Sequence, residues 1–169
     1  QKSVSHLFGD YEKGNISDLQ FCEILQQQLP GTVSISAIEE AWNSILRQFR
    51  LSALQFIADN RHRYRMFLLS NTNAIHINAA NKILHSQNGV QRIEAYFDKT
   101  YLSHEVRMRK PDAEIYQHVL NDAGIVATET LFIDDVPANT AAAAKLGIHV
   151  HTLLSGEKVE EVIRDFVAH

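Results

Sequence analysis

The 169-residue sequence has only one cysteine and three prolines, and it has no excess of positive charge. The lone cysteine, Cys22, cannot form an intrachain disulfide, which argues against a disulfide-stapled secreted fold and predicts a reducing, cytoplasmic location. No apolar run is long enough to cross a bilayer and no signal-peptide pattern is visible, so no membrane partner is expected. The formal net charge of −4 predicts no general attraction to nucleic acid.

The first 53 residues have the apolar period of amphipathic helices and carry no obvious chemistry. Ser17 or Asn15 is predicted to cap the first helix, and Ser36 with Glu39 to form a capping box at the start of the second. Trp42 is predicted to lie in the core of this region. The helices are predicted over about 17–29, 36–49 and 51–59.

From residue 66 onward, predicted strands and helices alternate. Short apolar runs bounded by polar turn formers are typical of strands buried on both faces of a parallel sheet. The strands are predicted near 66–69, 97–103, 130–133 and 148–154, with helices between them and a last helix at 159–167. Pro111 is predicted at the first position of the helix that follows Lys110. The alternation predicts an α/β fold with a parallel sheet.

Three polar features follow predicted strands or precede predicted helices, and ligands of open parallel sheets bind beyond the carboxyl ends of the strands. Ser70 and the adjacent Asn71 have the groups to bind an anion at a helix start, although an ordinary helix cap explains them as well. Lys110 adds a positive charge near a helix N-terminus, which the helix dipole disfavours. That conflict suggests that Lys110 has a role such as phosphate binding. The alternative is that Lys110 is an ordinary solvated surface lysine.

Asp134 and Asp135 give the strongest signal of the three. Two adjacent carboxylates at the end of a buried strand repel each other and are costly to desolvate. A hard divalent cation with oxygen ligands removes that conflict, and Mg²⁺ is the usual one in phosphate chemistry. A double helix cap is the alternative explanation.

These features together resemble motifs two, three and four of the haloacid dehalogenase (HAD) superfamily. The resemblance covers about residues 54–155 and is greatest to bacterial glucose-1-phosphate phosphatases and to the phosphatase domain of soluble epoxide hydrolases. It implies a three-layer Rossmann-like parallel-sheet core with a small helical cap, here divided into a cap at 1–53 and a core at 54–169. The matching segments are Leu68–Asn73, Tyr101–Ser103, Met108–Asp112 and Leu131–Asp135, with Asn139 after them.

The resemblance also implies a role for each matching residue. Ser70 and Asn71 would bind phosphate oxygens, and Lys110 would bind phosphate while offsetting the charge of a nucleophilic aspartate. Asp135 would be the direct Mg²⁺ ligand. Asp134 would reach the metal through water or hold the site in position, and Asn139 would brace the loop.

The first motif of that superfamily, an apolar strand followed by Asp-x-Asp, is absent from the sequence. That motif supplies the nucleophile, so the chain by itself is expected to be nearly inactive. The same strand lies at the centre of the family's sheet and would contribute about 10 hydrogen bonds, each worth about 1 kcal/mol. We therefore expect further residues upstream of Gln1.

The sequence thus predicts a Mg²⁺-dependent phosphatase that hydrolyses a small phosphorylated metabolite through an aspartyl-phosphate intermediate. The expected assembly is a monomer or a weak homodimer. One alternative is a catalytically inactive module that keeps a phosphate-sized pocket. Another is a 2-haloacid dehalogenase, which needs no metal and so leaves the paired carboxylates unexplained.

Overall fold

The computed structural model describes residues 4–167, with side chains described from residue 6. The helices are α1 (Val4–Glu12), α2 (Asp18–Gln26), α3 (Ile35–Asn43), α4 (Leu51–Asn60), α5 (Ala74–Asn88), α6 (Ser103–Val106), α7 (Ala113–Ala123), α8 (Pro137–Ala144) and α9 (Val159–Val167). The strands are β1 (Phe67–Ser70), β2 (Lys99–Leu102), β3 (Leu131–Asp134) and β4 (His149–Thr152). None of the helices in residues 4–167 is long and apolar enough to cross a membrane.

The first of two compact units is mainly helical. It comprises the described residues up to Phe49 together with Leu68–Ala95 and Thr100–Arg107. Apolar side chains of α1, α2, α3 and α5 form its core, and Trp42 packs against that cluster as predicted. The buried members are Leu7, Tyr11, Phe21, Cys22, Ile38 and Ile75.

The second unit contains a β-α-β arrangement and comprises Arg50–Phe67, Tyr96–Lys99 and the chain from Met108 onward. β3 and β4 pair in parallel, with Asp134 opposite Thr152 at their carboxyl ends. Helix α8 connects the two strands and contacts both of them, as well as α7. Asp134 is therefore the last residue of a strand that leads directly into the turn before a helix.

β1 and β2 form another two-stranded sheet, and their starts are tied together by Asp98. The Asp98 carboxylate accepts a hydrogen bond from the Met66 N–H at 2.6 Å, and the Asp98 N–H donates to the Met66 carbonyl at 2.8 Å. An ion pair with Arg61 at 3.3 Å holds the other carboxylate oxygen. Parallel strands alternating with helices confirm the predicted α/β class.

Several predicted boundaries move by a few residues. Ser17 caps α2 with a capping box to Gln20, but α3 is capped by Ser34 and not by Ser36, because Ser34 has the extended backbone of a cap and accepts the Ala37 N–H. Helix α1 was not predicted. The division into a cap at 1–53 and a core at 54–169 stays a prediction, and the first compact unit also includes Leu68–Ala95.

The predicted position of Pro111 at the start of a helix is wrong. The Asp112 N–H donates to the Arg109 carbonyl at 3.0 Å, so residues 109–112 form a turn. The Lys110–Pro111 peptide bond inside that turn is cis, and α7 begins only at Ala113. Lys110 therefore lies in a turn ahead of the helix.

Candidate active site

The carboxyl end of β1 presents Ser70 and Asn71 without using either as a helix cap. Asn73 caps α5 instead, with its side-chain oxygen accepting the His76 N–H at 2.9 Å. The alternative explanation of Ser70 as an ordinary cap is therefore wrong. The Ser70 hydroxyl has no hydrogen-bond partner among residues 4–167, so it has the capacity to bind a ligand oxygen.

Ser103 holds the loop that follows Ser70 and Asn71. Its hydroxyl accepts the Thr72 N–H at 2.9 Å and donates to the Thr72 carbonyl at 3.0 Å. Ser103 is fully buried, and a buried backbone amide without such a partner would be costly. This loop support was missed from the sequence because a lone serine after a strand gives no signal of what it contacts.

Lys110 is a buried cation and not a surface lysine. Only 7% of the residue is exposed, and its Nζ lies 2.6 Å from Asp134 Oδ2. The Nζ also lies 5.6 Å from the centre of the Phe132 ring, within the range of a cation–π interaction. The ion pair explains how a positive charge is tolerated ahead of a helix, since the charge of Asp134 offsets it.

The Asp134 carboxylate accepts three hydrogen bonds. Oδ2 accepts from Lys110, while Oδ1 accepts from the Val136 N–H at 2.8 Å and from Asn139 Nδ2 at 2.9 Å. Burial on its own raises the pKa of this carboxyl, but the three donors outweigh burial and leave the pKa below its ordinary value. Asp134 is therefore a carboxylate anchored at the first turn of α8.

Asp135 differs sharply from its neighbour. It is exposed, and its carboxylate makes no hydrogen bond or ion pair within residues 4–167. The two adjacent carboxylates therefore differ in environment, since Lys110 neutralises Asp134 whereas the Asp135 oxygens have no competing donor among the described residues. This observation favours Asp135 over Asp134 as a direct metal ligand.

The oxygen ligands available here, chiefly the Asp135 carboxylate, fit a hard cation that stays bound mostly to water molecules. The described part of the chain has no cluster of three or more His, Cys, Asp or Glu side chains able to hold a metal. In phosphate chemistry Mg²⁺ is usually bound by one or two carboxylates together with water and phosphate oxygens. The free carboxylate of Asp135 meets that requirement in part, and its oxygen chemistry suits Mg²⁺ better than a softer ion.

Asn139 and Tyr116 complete this arrangement. Asn139 is 6% exposed, and its side-chain amide donates a hydrogen bond to Asp134 at 2.9 Å. The buried Tyr116 hydroxyl donates to the Asn139 carbonyl at 2.9 Å. Burial, with the charges of Asp134 and Asp112, raises the pKa of Tyr116 above its ordinary value, so the hydroxyl stays protonated and is a donor. Tyr116 lies next to Ile115 in a segment that shares the family resemblance, but no role was predicted for it, since its position in α7 also fits a simple core residue.

The order and chemistry of these groups agree with a comparison of the whole chain to known families. Residues 19–147 match the haloacid dehalogenase-like hydrolases. The chain belongs to this family. A curated relative, the D-ribitol-5-phosphate phosphatase of Bacteroides thetaiotaomicron, is 30% identical over 141 residues, which cover 83% of this chain and 68% of the relative.

Solved HAD structures also resemble this chain closely. A HAD-family enzyme of Bacteroides thetaiotaomicron, crystallised with magnesium and inorganic phosphate, has a TM-score of 0.82 at 37% identity. The alignment covers 94% of this chain and 79% of that enzyme. A predicted HAD-like hydrolase of Porphyromonas gingivalis has a TM-score of 0.88 at 31% identity, with 96% and 79% covered. These likenesses confirm the predicted Rossmann-like HAD fold.

The structure thus brings three of the six predicted site residues of this HAD chain into one hydrogen-bonded cluster of the second unit. Lys110, Asp134 and Asn139 are directly hydrogen-bonded, and Asp135 follows Asp134 in the chain. Ser70 and Asn71 lie at the end of β1, and their joining this cluster stays a prediction from the parallel-strand argument. Two open grooves of about 410 and 460 Å³ in the second unit include none of the six residues.

Proposed function

We propose that this HAD-family protein is a Mg²⁺-dependent phosphatase of a small phosphorylated metabolite. The observation that carries the proposal is the contrast between the two carboxylates after β3. Asp134 is buried and paired with Lys110, whereas Asp135 is exposed and without a partner among the described residues. A fixed cation and a carboxylate able to hold a metal both suit phosphoryl transfer, because that reaction depends mainly on positioning and charge neutralisation.

Each residue has a defined part in this proposal. The Lys110 ammonium has three donors, so it can bind a phosphate oxygen while keeping its bond to Asp134. The Ser70 hydroxyl and Asn71 amide would donate to other phosphate oxygens. Asp135 would hold Mg²⁺, whose charge would stabilise the phosphoryl oxygens. The proposed aspartyl-phosphate intermediate needs a first-motif aspartate, which these 169 residues do not contain.

The relatives support a sugar or polyol phosphate as the substrate class. One is a phosphatase of D-ribitol 5-phosphate, and another was crystallised with magnesium and inorganic phosphate. Such a substrate carries one dianionic phosphate on a neutral, hydroxyl-rich body. The charge of that phosphate suits the Lys110 ammonium.

A catalytically inactive phosphate-binding module is the second candidate. Such a module would bind inorganic phosphate through the same residues without any turnover. Loss of a nucleophile usually lowers a rate by about 10⁴- to 10⁶-fold, so turnover separates the two candidates clearly.

The test is phosphate release from a panel of phosphomonoesters by the protein as its gene encodes it. The panel contains ribitol 5-phosphate, several sugar phosphates and a nucleoside monophosphate, each with Mg²⁺ and with EDTA. We expect turnover of at least one polyol or sugar phosphate that EDTA abolishes. Phosphate binding without any turnover would favour the inactive module, and turnover undiminished by EDTA would contradict the metal assignment.

A further inference from the structure

Five residues of the second unit form a closed circuit of contacts, and two of them, Tyr116 and Phe132, have no role in the proposed chemistry. The Tyr116 ring lies edge-on to the Phe132 ring, with centroids 5.5 Å apart and planes at 81°. Phe132 lies beneath the Lys110 ammonium, and Lys110 binds Asp134. Asn139 binds Asp134, and its carbonyl accepts the Tyr116 hydroxyl. The circuit thus returns to Tyr116.

The first turn of α8 is held by hydrogen bonds to residues that lie outside the helix. The N-cap residue, Val136, has no side-chain oxygen to offer, and Pro137 follows it at the first helical position. Asp134 accepts the Val136 N–H from the strand side, and Tyr116 donates to the Asn139 carbonyl from the α7 side. The first turn of α8 is therefore fixed from two directions.

We infer that Tyr116 is a positioning residue for the phosphate site. Its hydroxyl fixes the first turn of α8, so that the Asn139 amide holds Asp134 and Asp134 holds the Lys110 ammonium in place. This inference rests on the proposed function, because it assigns Tyr116 to the same site. Partners of this kind around a reactive group typically change activity or metal affinity by about 10- to 100-fold when they are removed.

The first test is Tyr116→Phe, which removes the hydroxyl and keeps the ring against Phe132. We expect kcat to fall by about 10-fold while KM changes less than about threefold, because the hydroxyl acts through Asp134 and does not touch substrate. The matched control is Tyr11→Phe in the first unit, where a buried tyrosine donates to Asp18 at 2.7 Å. The control should leave kcat unchanged. An unchanged kcat in Tyr116→Phe would overturn the inference.

The second test asks whether the effect passes through Asn139. In Asn139→Ala the backbone carbonyl that accepts the Tyr116 hydroxyl remains, but the amide that holds Asp134 is gone. Adding Tyr116→Phe to Asn139→Ala should therefore lower kcat by less than about twofold further. A general structural role of Tyr116 would instead give the full 10-fold loss in both backgrounds, and that result would overturn the inference.

A third readout does not depend on turnover. Backbone amide exchange of residues 134–140 should accelerate in Tyr116→Phe and stay unchanged in Tyr11→Phe. If the parent protein shows no phosphatase activity, the proposed function fails but the exchange rates still decide whether Tyr116 holds this turn. Equal exchange at residues 134–140 in the parent and in Tyr116→Phe would overturn the inference whatever the activity.

Discussion

At the scale of single residues, the main result is that the adjacent Asp134 and Asp135 have different environments. Their adjacency predicted a metal site, in which the family resemblance implied Asp135 as the direct ligand and Asp134 as a partner acting through water or holding the site in position. The structure gives Asp134 three hydrogen-bond donors and leaves Asp135 exposed. A sequence shows that two carboxylates are adjacent, but it does not show that a lysine 24 positions earlier reaches one of them.

The stability of the fold should depend strongly on the Lys110–Asp134 ion pair. Lys110→Met leaves a buried carboxylate without its cation, so we expect a loss of about 3–5 kcal/mol in the free energy of unfolding. The side chains are 9% and 6% exposed, so little solvent screening reduces this effect. Chemical denaturation of the variant measures it.

A matched control and a double variant sharpen that prediction. Lys99 pairs with Asp122 at 2.6 Å, but its side chain is 52% exposed, so Lys99→Met should cost less than about 1 kcal/mol. Adding Asp134→Asn to Lys110→Met should recover part of the loss, because it removes the unpaired charge. Equal losses for the two lysine variants would contradict the buried-pair interpretation.

Ser103 provides a second residue-scale prediction. Its hydroxyl satisfies both the N–H and the carbonyl of Thr72 in a buried position. Ser103→Ala should therefore lower the free energy of unfolding by about 1–3 kcal/mol. The control is Ser86→Ala, where an exposed hydroxyl donates to the Ile83 carbonyl at 2.8 Å and little change is expected. A Ser103→Ala loss no greater than the control would refute the role given to this hydroxyl.

At the scale of elements, the sequence located most helices and strands but not what fixes their ends. Ser17 was predicted as a cap, with Asn15 as the alternative, because both residue types favour that position, and the structure confirms Ser17. The start of α7 was misplaced because proline fits a turn as well as the first position of a helix. The cap of α3 was misplaced because Ser34 and Ser36 are equally good caps by residue type, and only their backbone conformations distinguish them.

Asp98 makes the pairing of β1 and β2 sensitive to acid. The Met66 N–H, followed by Arg61, holds the pKa of this carboxyl below its ordinary value despite an opposing contribution from burial. A carboxyl whose pKa is lower in the folded state contributes its full stability above its unfolded pKa of about 4. That stability is lost as the pH falls from there through the lower pKa of the folded state. Acidification below about pH 4 should therefore weaken this clamp.

The measurement is the slope of stability against pH for the parent and for Asp98→Asn. The variant should lose less stability than the parent between pH 5 and pH 3, because one titrating group is gone while an oxygen acceptor for Met66 remains. Asp165→Asn, which removes an exposed carboxylate of α9, is the control. Identical slopes for the parent and Asp98→Asn would refute the acid sensitivity of this clamp.

At the scale of the whole molecule, family and fold class were predictable from the order of three motifs. Each motif stands where a strand or turn meets a helix, so the sequence pattern and the physics of parallel sheets agree. The supporting residues Ser103 and Tyr116 were not predictable, because their roles depend on contacts between elements distant in sequence. The compact units also differ in range from the predicted cap and core, since Leu68–Ala95 belongs with the early helices.

The central claim is that Asp135, beside the Lys110–Asp134 pair, supports Mg²⁺-dependent phosphate hydrolysis. The most direct measurement is Mg²⁺-dependent phosphate release by Asp135→Asn of the protein as its gene encodes it, with Asp165→Asn as the matched control. We predict a fall of at least about 100-fold in kcat for Asp135→Asn, because metal stabilisation of the transferring phosphoryl group is worth several kcal/mol, and no change in the control. Undiminished Mg²⁺-dependent turnover in Asp135→Asn would contradict the claim.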